Sequence, residues 1–225
     1  TQKPSSAASD VYKRQMGSGP VLGVSPAPSY SFMIYVTPVG PYFKGGMRAI
    51  ELLISDEFHR AAPGGSGGVK AIGNYAPGMM PSKMAKAQGY AEVIYLDART
   101  STYIEEVGAA NFFCIKDKVL YTPELTGTIL PGITRDSIIA LARHMGYEVV
   151  EEKVSAEFAM SADEAFCCGT AAVISPIGSI THGDTKVTYG DGTPGTITTT
   201  LYDKLTGIQN ETEEDIFGWL HEIPL

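Results

Sequence analysis

The feature that most constrains the fold of this chain is a series of short apolar runs separated by turn-forming residues. The runs occupy residues 91–97, 103–106, 111–116 and 119–122. Runs of this length that are rich in β-branched and aromatic side chains are typical of strands, and strands separated by turns pair with their neighbours in antiparallel order. We therefore expect a mostly antiparallel meander in this part of the chain.

Segments on either side of the meander predict helices and further strands. Helical patterns occupy residues 79–88, 134–145 and 197–208. Gly89 and Gly146 follow the first two as C-terminal stops. Further strands are predicted at residues 31–39, 49–54, 149–154 and 165–174, with a hairpin and loop at 181–195. This order of elements indicates an α+β fold.

Composition excludes several classes of function. The 225 residues contain 17 Lys and Arg against 25 Asp and Glu, so the net charge is −8 and nucleic acid is not expected as a partner. No apolar run approaches the roughly 20 residues that span a bilayer, and the N-terminus lacks a signal-peptide pattern, so we expect a cytoplasmic location and no membrane partner. Three cysteines without CxxC spacing and four scattered histidines predict no metal site.

A glycine-rich stretch, Gly-Gly-Ser-Gly-Gly-Val-Lys-Ala-Ile-Gly-Asn-Tyr at residues 64–75, surrounds a lysine with small and apolar neighbours. In such surroundings we expect Lys70 to be desolvated, which lowers the pKa of an amine and makes it a nucleophile able to form a Schiff base with an aldehyde. Taken alone, this stretch is more typical of a surface lysine in a flexible glycine loop.

Pyridoxal phosphate is an aldehyde cofactor that needs such a lysine, a carboxylate at its ring nitrogen and N–H groups at its phosphate. The candidate carboxylate is Glu106, at the end of a predicted strand in Tyr-Ile-Glu-Glu-Val-Gly-Ala-Ala-Asn. Its neighbour Glu105 is expected on the opposite face, because side chains alternate along a strand. The alternative is a solvated acidic pair at a strand end.

Two glycine turns are candidates for the phosphate. Leu-Pro-Gly-Ile-Thr-Arg-Asp, at 130–136, begins the clearest helix, and the N-terminus of a helix presents unpaired N–H groups. An ordinary helix capped by Thr134 is the alternative. Cys-Cys-Gly-Thr-Ala-Ala, at 167–172, offers donors from Gly169 and Thr170 for the phosphate and from the alanines for a substrate carboxylate. Its alternative is a bend in a buried strand.

In this order, Lys-Ala-Ile-Gly-Asn-Tyr, Glu-Val-Gly-Ala-Ala-Asn, Leu-Pro-Gly-Ile-Thr-Arg and Gly-Thr-Ala-Ala resemble the motifs of the branched-chain amino acid aminotransferases. These are fold-type-IV pyridoxal phosphate enzymes, and the resemblance runs from about Met16 to the C-terminus. It implies a homodimeric enzyme that exchanges the amino group of leucine, isoleucine or valine with 2-oxoglutarate. It also implies a large domain with a mostly antiparallel, barrel-like sheet and surrounding helices.

The same resemblance assigns roles residue by residue. Lys70 would carry the cofactor and move the substrate proton, Tyr75 would hydrogen-bond the phenolic oxygen, and Glu106 would keep the ring nitrogen protonated. The phosphate contacts are Gly132, Ile133, Thr134 and Thr170, and the substrate contacts are Tyr42, Ala171 and Ala172.

The resemblance further divides the chain into a leader, a linking segment and one domain. Residues 1–15 have no hydrophobic period and are expected to be a disordered or non-native leader. Residues 16–46 match the family's interdomain segment and first strand, and 47–225 match its cofactor-binding domain. The family's small N-terminal domain has no counterpart, so we expect a truncated chain. The alternatives are a D-amino acid aminotransferase, an aminodeoxychorismate lyase, or an incompetent fragment.

Overall fold

The structure is a computed structural model that describes residues 9–38 and 47–221. The strands in this part of the chain are β1 (Ser9–Ser18), β2 (Ser29–Pro38), β3 (Ile50–Ser55), β4 (Glu92–Leu96), β5 (Ile104–Val107), β6 (Ala110–Lys116), β7 (Val119–Pro123), β8 (Val149–Glu152), β9 (Glu164–Gly169), β10 (Val173–His182) and β11 (Thr185–Thr188). The α-helices are α1 (Met79–Ala87), α2 (Ile133–His144), α3 (Ala156–Met160) and α4 (Thr196–Gln209).

The main sheet closes into a barrel. β10 pairs with β3 along one part of its length and with β9 along another, and the ring continues from β3 through β4, β5 and β6 back to β9. β7 and β8 extend the sheet from β6, and β11 extends it from β10. Most pairs are antiparallel, whereas β3 lies parallel to both β10 and β4, and β7 lies parallel to β8. The expected α+β fold with a mostly antiparallel, barrel-like core is confirmed.

Apolar side chains fill both faces of the barrel wall. Side chains from all six strands of the ring meet in one buried cluster, which therefore fills the barrel interior; examples are Leu52, Ile94, Ile104, Phe112, Ala165 and Ile177. A second cluster packs α2 and α4 against the outer face of β6, β7 and β9. Each such buried side chain stabilises the fold by about 1.5–3 kcal/mol relative to exposure. The wall that carries the site residues is therefore held on both faces.

The predicted segments agree with β3 to β8 and with α1, α2 and α4, with ends that differ by one or two residues. The single strand predicted at 165–174 is wrong, because the chain turns at residues 170–172 and forms two strands, β9 and β10. The turn directly follows Gly169, so it agrees with the glycine turn considered for the phosphate and not with a bend in one continuous strand. The short helix α3 has no counterpart among the predicted segments.

The N-terminal hairpin differs from its sequence prediction. β1 and β2 pair in antiparallel order from Ser9 with Pro38 to Ser18 with Ser29. Disorder at 1–15 is therefore wrong for residues 9–15, which belong to β1. The strand expected at 31–39 forms as β2, but it is not buried: Phe32 and Ile34 are both more than half exposed. A two-stranded ribbon has no second layer against which it can bury its side chains.

None of the helices within residues 9–38 and 47–221 combines the length and the apolar character that crossing a bilayer requires.

Candidate active site

Glu106 lies in the barrel wall with 1% of its surface exposed. It sits on β5 opposite Tyr95 of β4 and Asn111 of β6. Burial is the main reason that the pKa of its carboxyl is raised to about 7, against the opposing effects of the Arg60 guanidinium and the Leu130 N–H. The charged form of this buried acid therefore depends on nearby cations and donors.

Three donors fix the Glu106 carboxylate. The Arg60 guanidinium forms an ion pair with Oε2. The Asn111 amide donates to Oε1 at 3.1 Å, and the backbone N–H of Leu130 donates to the same oxygen at 3.2 Å. A carboxylate held in this way has a fixed orientation and can accept a hydrogen bond from a protonated ring nitrogen.

The second carboxylate, Glu105, is also buried, with 5% exposure. Its Oε1 accepts a hydrogen bond of 2.5 Å from the hydroxyl of Thr128. The alternative of a solvated acidic pair at a strand end is therefore wrong. All four residues of β5 are buried, because the strand lies in the middle of the barrel wall and both of its faces are covered.

A loop at residues 126–130 joins the carboxylates to the glycine-rich stretch. Arg60 donates to the carbonyl oxygen of Thr128 at 2.5 Å and to that of Gly67 at 3.4 Å. A Cβ on Gly67 would overlap the Thr128 carbonyl, so the two backbones approach each other as closely as only glycine allows. The stretch is therefore anchored against the loop that also contacts Glu105 and Glu106.

The Asn74 side chain stabilises the lysine stretch through hydrogen bonds to two of its residues. This buried side chain donates to the carbonyl oxygens of Ser66 and Val69, at 2.5 Å and 2.7 Å, and accepts from the Ser66 hydroxyl at 2.8 Å. A short 3-10 helix, Ile72–Asn74, follows. Of the alternative of a surface lysine in a flexible glycine loop, the flexible loop is therefore wrong, because side-chain hydrogen bonds satisfy the carbonyls of Ser66 and Val69.

Lys70 and Tyr75, both in this stretch, differ in their surroundings. Tyr75 is half-buried, and its pKa is raised by burial and by Glu106, against the effect of Arg60, so its ring lies in the field of the site. Lys70 is exposed, and within the described residues it forms no ion pair or hydrogen bond. The expected desolvation of Lys70 is therefore wrong in this structure, and the alternative of a surface position for this lysine is confirmed.

Helix α2 begins with an uncapped turn. Its N-cap is Gly132, with φ −73° and ψ 134°, and no side chain caps it, so the alternative of an ordinary helix capped by Thr134 is wrong. The backbone N–H groups of Ile133 and Thr134 have no partner within the helix and are suited to an anion. A Cβ on Gly132 would overlap the Asn111 side chain, which brings this helix start against the residue that holds Glu106.

The turn at residues 170–172 follows a residue of β9 that lies in line with Glu106 and Asn111 across the sheet. Glu106 pairs with Asn111, and Asn111 pairs with Cys168, two strand spacings or about 10 Å away. Thr170 and Ala171 follow and are exposed, and Ala172 is half-buried. The structure thus places the turn near Asn111 and the start of α2. Tyr42 lies outside the described residues.

Sequence reasoning missed three residues that organise the site: Arg60, Asn111 and Thr128. The only available signal was for Arg60, because a buried carboxylate requires a cation and this arginine lies close to the lysine stretch. The roles of Asn111 and Thr128 depend on strand register and loop contacts, which the sequence does not display.

Known proteins match this chain in sequence and in fold. The family model for amino-transferase class IV matches residues 11–180. A branched-chain-amino-acid aminotransferase of Arabidopsis thaliana, named as chloroplastic, is 52% identical over 204 residues, which are 91% of this chain and 49% of that protein. The Escherichia coli branched-chain amino acid aminotransferase is 38% identical with a TM-score of 0.79, over 90% of this chain and 66% of that one.

A third match concerns the cofactor as well as the fold. The branched-chain amino acid aminotransferase of T.th., solved with pyridoxamine 5'-phosphate, is 30% identical with a TM-score of 0.82, over 94% of this chain and 69% of that one. The chain spans about half the length of the curated relatives it matches. Sequence and structure agree, and the chain belongs to the class IV aminotransferases, within their branched-chain amino acid aminotransferase family.

Proposed function

We propose that this chain is part of a transaminase that uses pyridoxal 5'-phosphate to exchange the amino group of L-leucine, L-isoleucine or L-valine with 2-oxoglutarate. Residues 47–225 form its cofactor-binding domain, and residues 16–46 lead into that domain. The observation that carries the proposal is the buried Glu106 carboxylate, which is fixed by Arg60, Asn111 and Leu130 beside the uncapped start of α2.

The residues present fit this cofactor at three points. Glu106 offers a buried anion to the ring nitrogen. The first N–H groups of α2, from Ile133 and Thr134, suit the phosphate, with Gly132 giving close access and Thr170 adding a hydroxyl from the neighbouring turn. The hydroxyl of Tyr75, in the field of Glu106, suits the phenolic oxygen.

When bound, the cofactor supplies an aldehyde and an electron-accepting ring. Lys70 would hold the cofactor through its amine, and the same amine, when free, would accept and return the proton at the substrate Cα. Glu106 keeps the ring nitrogen protonated, and Tyr75 orients the ring. The N–H groups of Ala171 and Ala172 would bind the substrate carboxylate, and Tyr42 stays a predicted contact of the substrate side chain.

Cofactor binding is tested by absorbance. We expect pyridoxal 5'-phosphate to give the visible band of a lysine-bound cofactor with the parent chain and with Lys83→Ala, a control on the exposed face of α1. Lys70→Ala should lose the band. A band that persists in Lys70→Ala contradicts the assignment of this lysine.

Substrate class is tested with a panel of amino acids and 2-oxoglutarate. We expect transfer from L-leucine, L-isoleucine and L-valine. Activity confined to D-alanine would identify a D-amino acid aminotransferase, and release of pyruvate from aminodeoxychorismate would identify a lyase. Cofactor binding without turnover of any substrate would identify an incompetent fragment.

Assembly and location remain predictions. We expect a homodimer, which light scattering of the purified chain measures directly. The expected cytoplasmic location contrasts with the Arabidopsis relative named as chloroplastic, and a fluorescent fusion of the chain in its own cells separates the two compartments.

A further inference from the structure

Two carboxylates and one guanidinium are buried together beside the candidate site. Glu105, Glu106 and Arg60 are 5%, 1% and 6% exposed. If all three are ionised, the cluster carries one excess negative charge, which is unfavourable in a buried setting. Burial is the main cause that raises the pKa of both carboxyls, and the guanidinium opposes it at each.

Thr128 links the members of this cluster. Its hydroxyl donates to Glu105 at 2.5 Å, and its carbonyl oxygen accepts from Arg60 at 2.5 Å. Arg60 in turn forms its ion pair with Glu106. Within the described residues, Nε of Arg60 and Oε2 of Glu105 are buried without a hydrogen-bond partner. Glu105 therefore acts on the guanidinium through space and through Thr128, whereas Glu106 touches it.

We propose that Glu105 is a positioning residue for transamination: it balances the charge of Arg60 and so leaves the carboxylate of Glu106 to hold a protonated ring nitrogen. This inference rests on the proposed function. With Glu105 present, a protonated ring nitrogen brings the positive charge that the cluster lacks. Without it, Arg60 and Glu106 balance each other, and a second cation beside the guanidinium is disfavoured.

Other charged and titratable groups face the same cluster. Glu105 lies in the field of Asp97 and His59, and Glu106 lies in the field of Glu105 and near Tyr75. All of these neighbouring groups are still present when Glu105 is replaced by glutamine. The substitution keeps an oxygen that accepts from the Thr128 hydroxyl, removes the charge and replaces the unpartnered Oε2 with an NH2 group.

The first readout needs no cofactor. In the full chain with ¹³C-labelled glutamate, we expect the Glu106 carboxyl, identified by its loss in Glu106→Gln, to titrate near neutral pH. Glu105→Gln should lower its midpoint by about one pH unit, a tenfold change in its ionisation constant. The control, Glu51→Gln, removes an exposed carboxylate on β3 and should leave the midpoint unchanged. An unchanged midpoint in Glu105→Gln overturns the inference.

A second variant covers the case in which Glu105→Gln does not fold. Thr128→Val keeps the shape of the side chain but removes the hydroxyl that stabilises the charged form of Glu105. The Glu106 midpoint should then move in the same direction by a smaller amount. A midpoint that moves upward, or stays unchanged, overturns the link through Thr128.

The second readout is the protonation of the bound cofactor, followed by the ¹⁵N shift of pyridoxal 5'-phosphate labelled at its ring nitrogen. We expect a protonated nitrogen at neutral pH in the parent and in Glu51→Gln. In Glu105→Gln the nitrogen should lose its proton about one pH unit lower, a tenfold change in its ionisation constant. Identical titrations in parent and Glu105→Gln overturn the inference alone. A parent chain that binds no cofactor overturns the proposed function together with this role for Glu105.

Discussion

The two sides of the candidate site are built differently. On the carboxylate side, Arg60 and Glu106 are buried and share their contacts with three neighbouring segments. On the lysine side, Lys70 is exposed, and the apolar side chains of Ile72 and Ile133 are 84% and 80% exposed. The fold therefore fixes in advance the charges that would meet the ring nitrogen, and it leaves open the surface where the aldehyde and the substrate would lie.

Removal of Arg60 from the carboxylate side should lower the free energy of unfolding more than any other substitution proposed here. Arg60→Ala leaves Glu106 buried without its cation, so we expect the free energy of unfolding to fall by about 3–5 kcal/mol. Lys70→Ala, on the open side, should change it by no more than about 0.5 kcal/mol. Urea unfolding of both variants measures the difference. Similar losses in the two variants would contradict the contrast between the sides.

The pH dependence of stability separates the same two sides. The carboxyl of Glu106 has a pKa of about 7 in the folded chain against 4.5 in the unfolded one, so the folded state holds more protons between these values. Its contribution to stability is therefore fully present below about pH 4.5 and is lost as the pH rises through 7. The shift corresponds to about 3 kcal/mol. Urea unfolding across pH 4 to 8 measures it.

The matched variant for this pH dependence is Glu106→Gln. Between pH 4.5 and 7 its free energy of unfolding should fall less than that of the parent. Glu105 adds to the slope of the parent with the same sign, because burial also raises its pKa. Asp97 acts with the opposite sign: burial raises its pKa, but hydrogen bonds from Tyr103, Thr102 and Thr100 lower it by more. The loss of the Asp97 contribution therefore occurs at more acidic pH, outside this window. A stability difference between parent and Glu106→Gln that stays constant between pH 4.5 and 7 would contradict a raised pKa for the Glu106 carboxyl.

A smaller effect is expected where the two sides meet, at the start of α2. In Gly132→Ala the new Cβ overlaps the Asn111 side chain, which must move and lose its hydrogen bonds to Glu106 and Leu130. We expect a loss of about 2 kcal/mol. Gly73→Ala is the control, because a Cβ there meets no atom within 4 Å. Equal melting temperatures for the two variants would show that Asn111 can rearrange freely.

The same contrast explains how much of the molecule the sequence predicted. Strand and helix positions follow from periodic patterns, so β3 to β8, α1, α2 and α4 were predicted well. Glu106 was identified through its motif, but the partners that make its burial possible were not. Arg60, Asn111 and Thr128 meet it through strand register and loop packing, which arise from residues far apart in the chain.

Burial was the property that sequence reasoning predicted least well. Lys70, with small and apolar neighbours, was expected to be desolvated and is exposed, whereas Glu105 was expected on the opposite face of its strand from Glu106, with a solvated pair as the alternative, and both are buried. Neighbours in sequence do not determine what lies above and below a residue. All four residues of β5 are buried within the barrel wall, whereas Val69, Lys70 and Ile72 of the lysine loop are exposed.

The last prediction concerns a backbone group on the open side. Ile133 is the first residue of α2 after its N-cap, where proline is well tolerated, and the extended conformation of Gly132 suits a residue before proline. Ile133→Pro should therefore change the free energy of unfolding by no more than about 0.5 kcal/mol. It nevertheless removes an N–H assigned to the phosphate, so cofactor affinity should fall about tenfold, as for one hydrogen bond to a charged group.

Ile133→Ala separates this backbone effect from that of the side chain. It removes the same exposed side chain and keeps the N–H, so both stability and the affinity for pyridoxal 5'-phosphate should stay close to those of the parent. Fluorescence titration with the cofactor compares the two variants. If Ile133→Ala weakens binding as much as Ile133→Pro, the exposed side chain contacts the cofactor and the N–H does not. The start of α2 is then not part of the phosphate site. If only Ile133→Pro weakens binding, the open side holds the anion through its backbone while the buried side holds the ring through its charges.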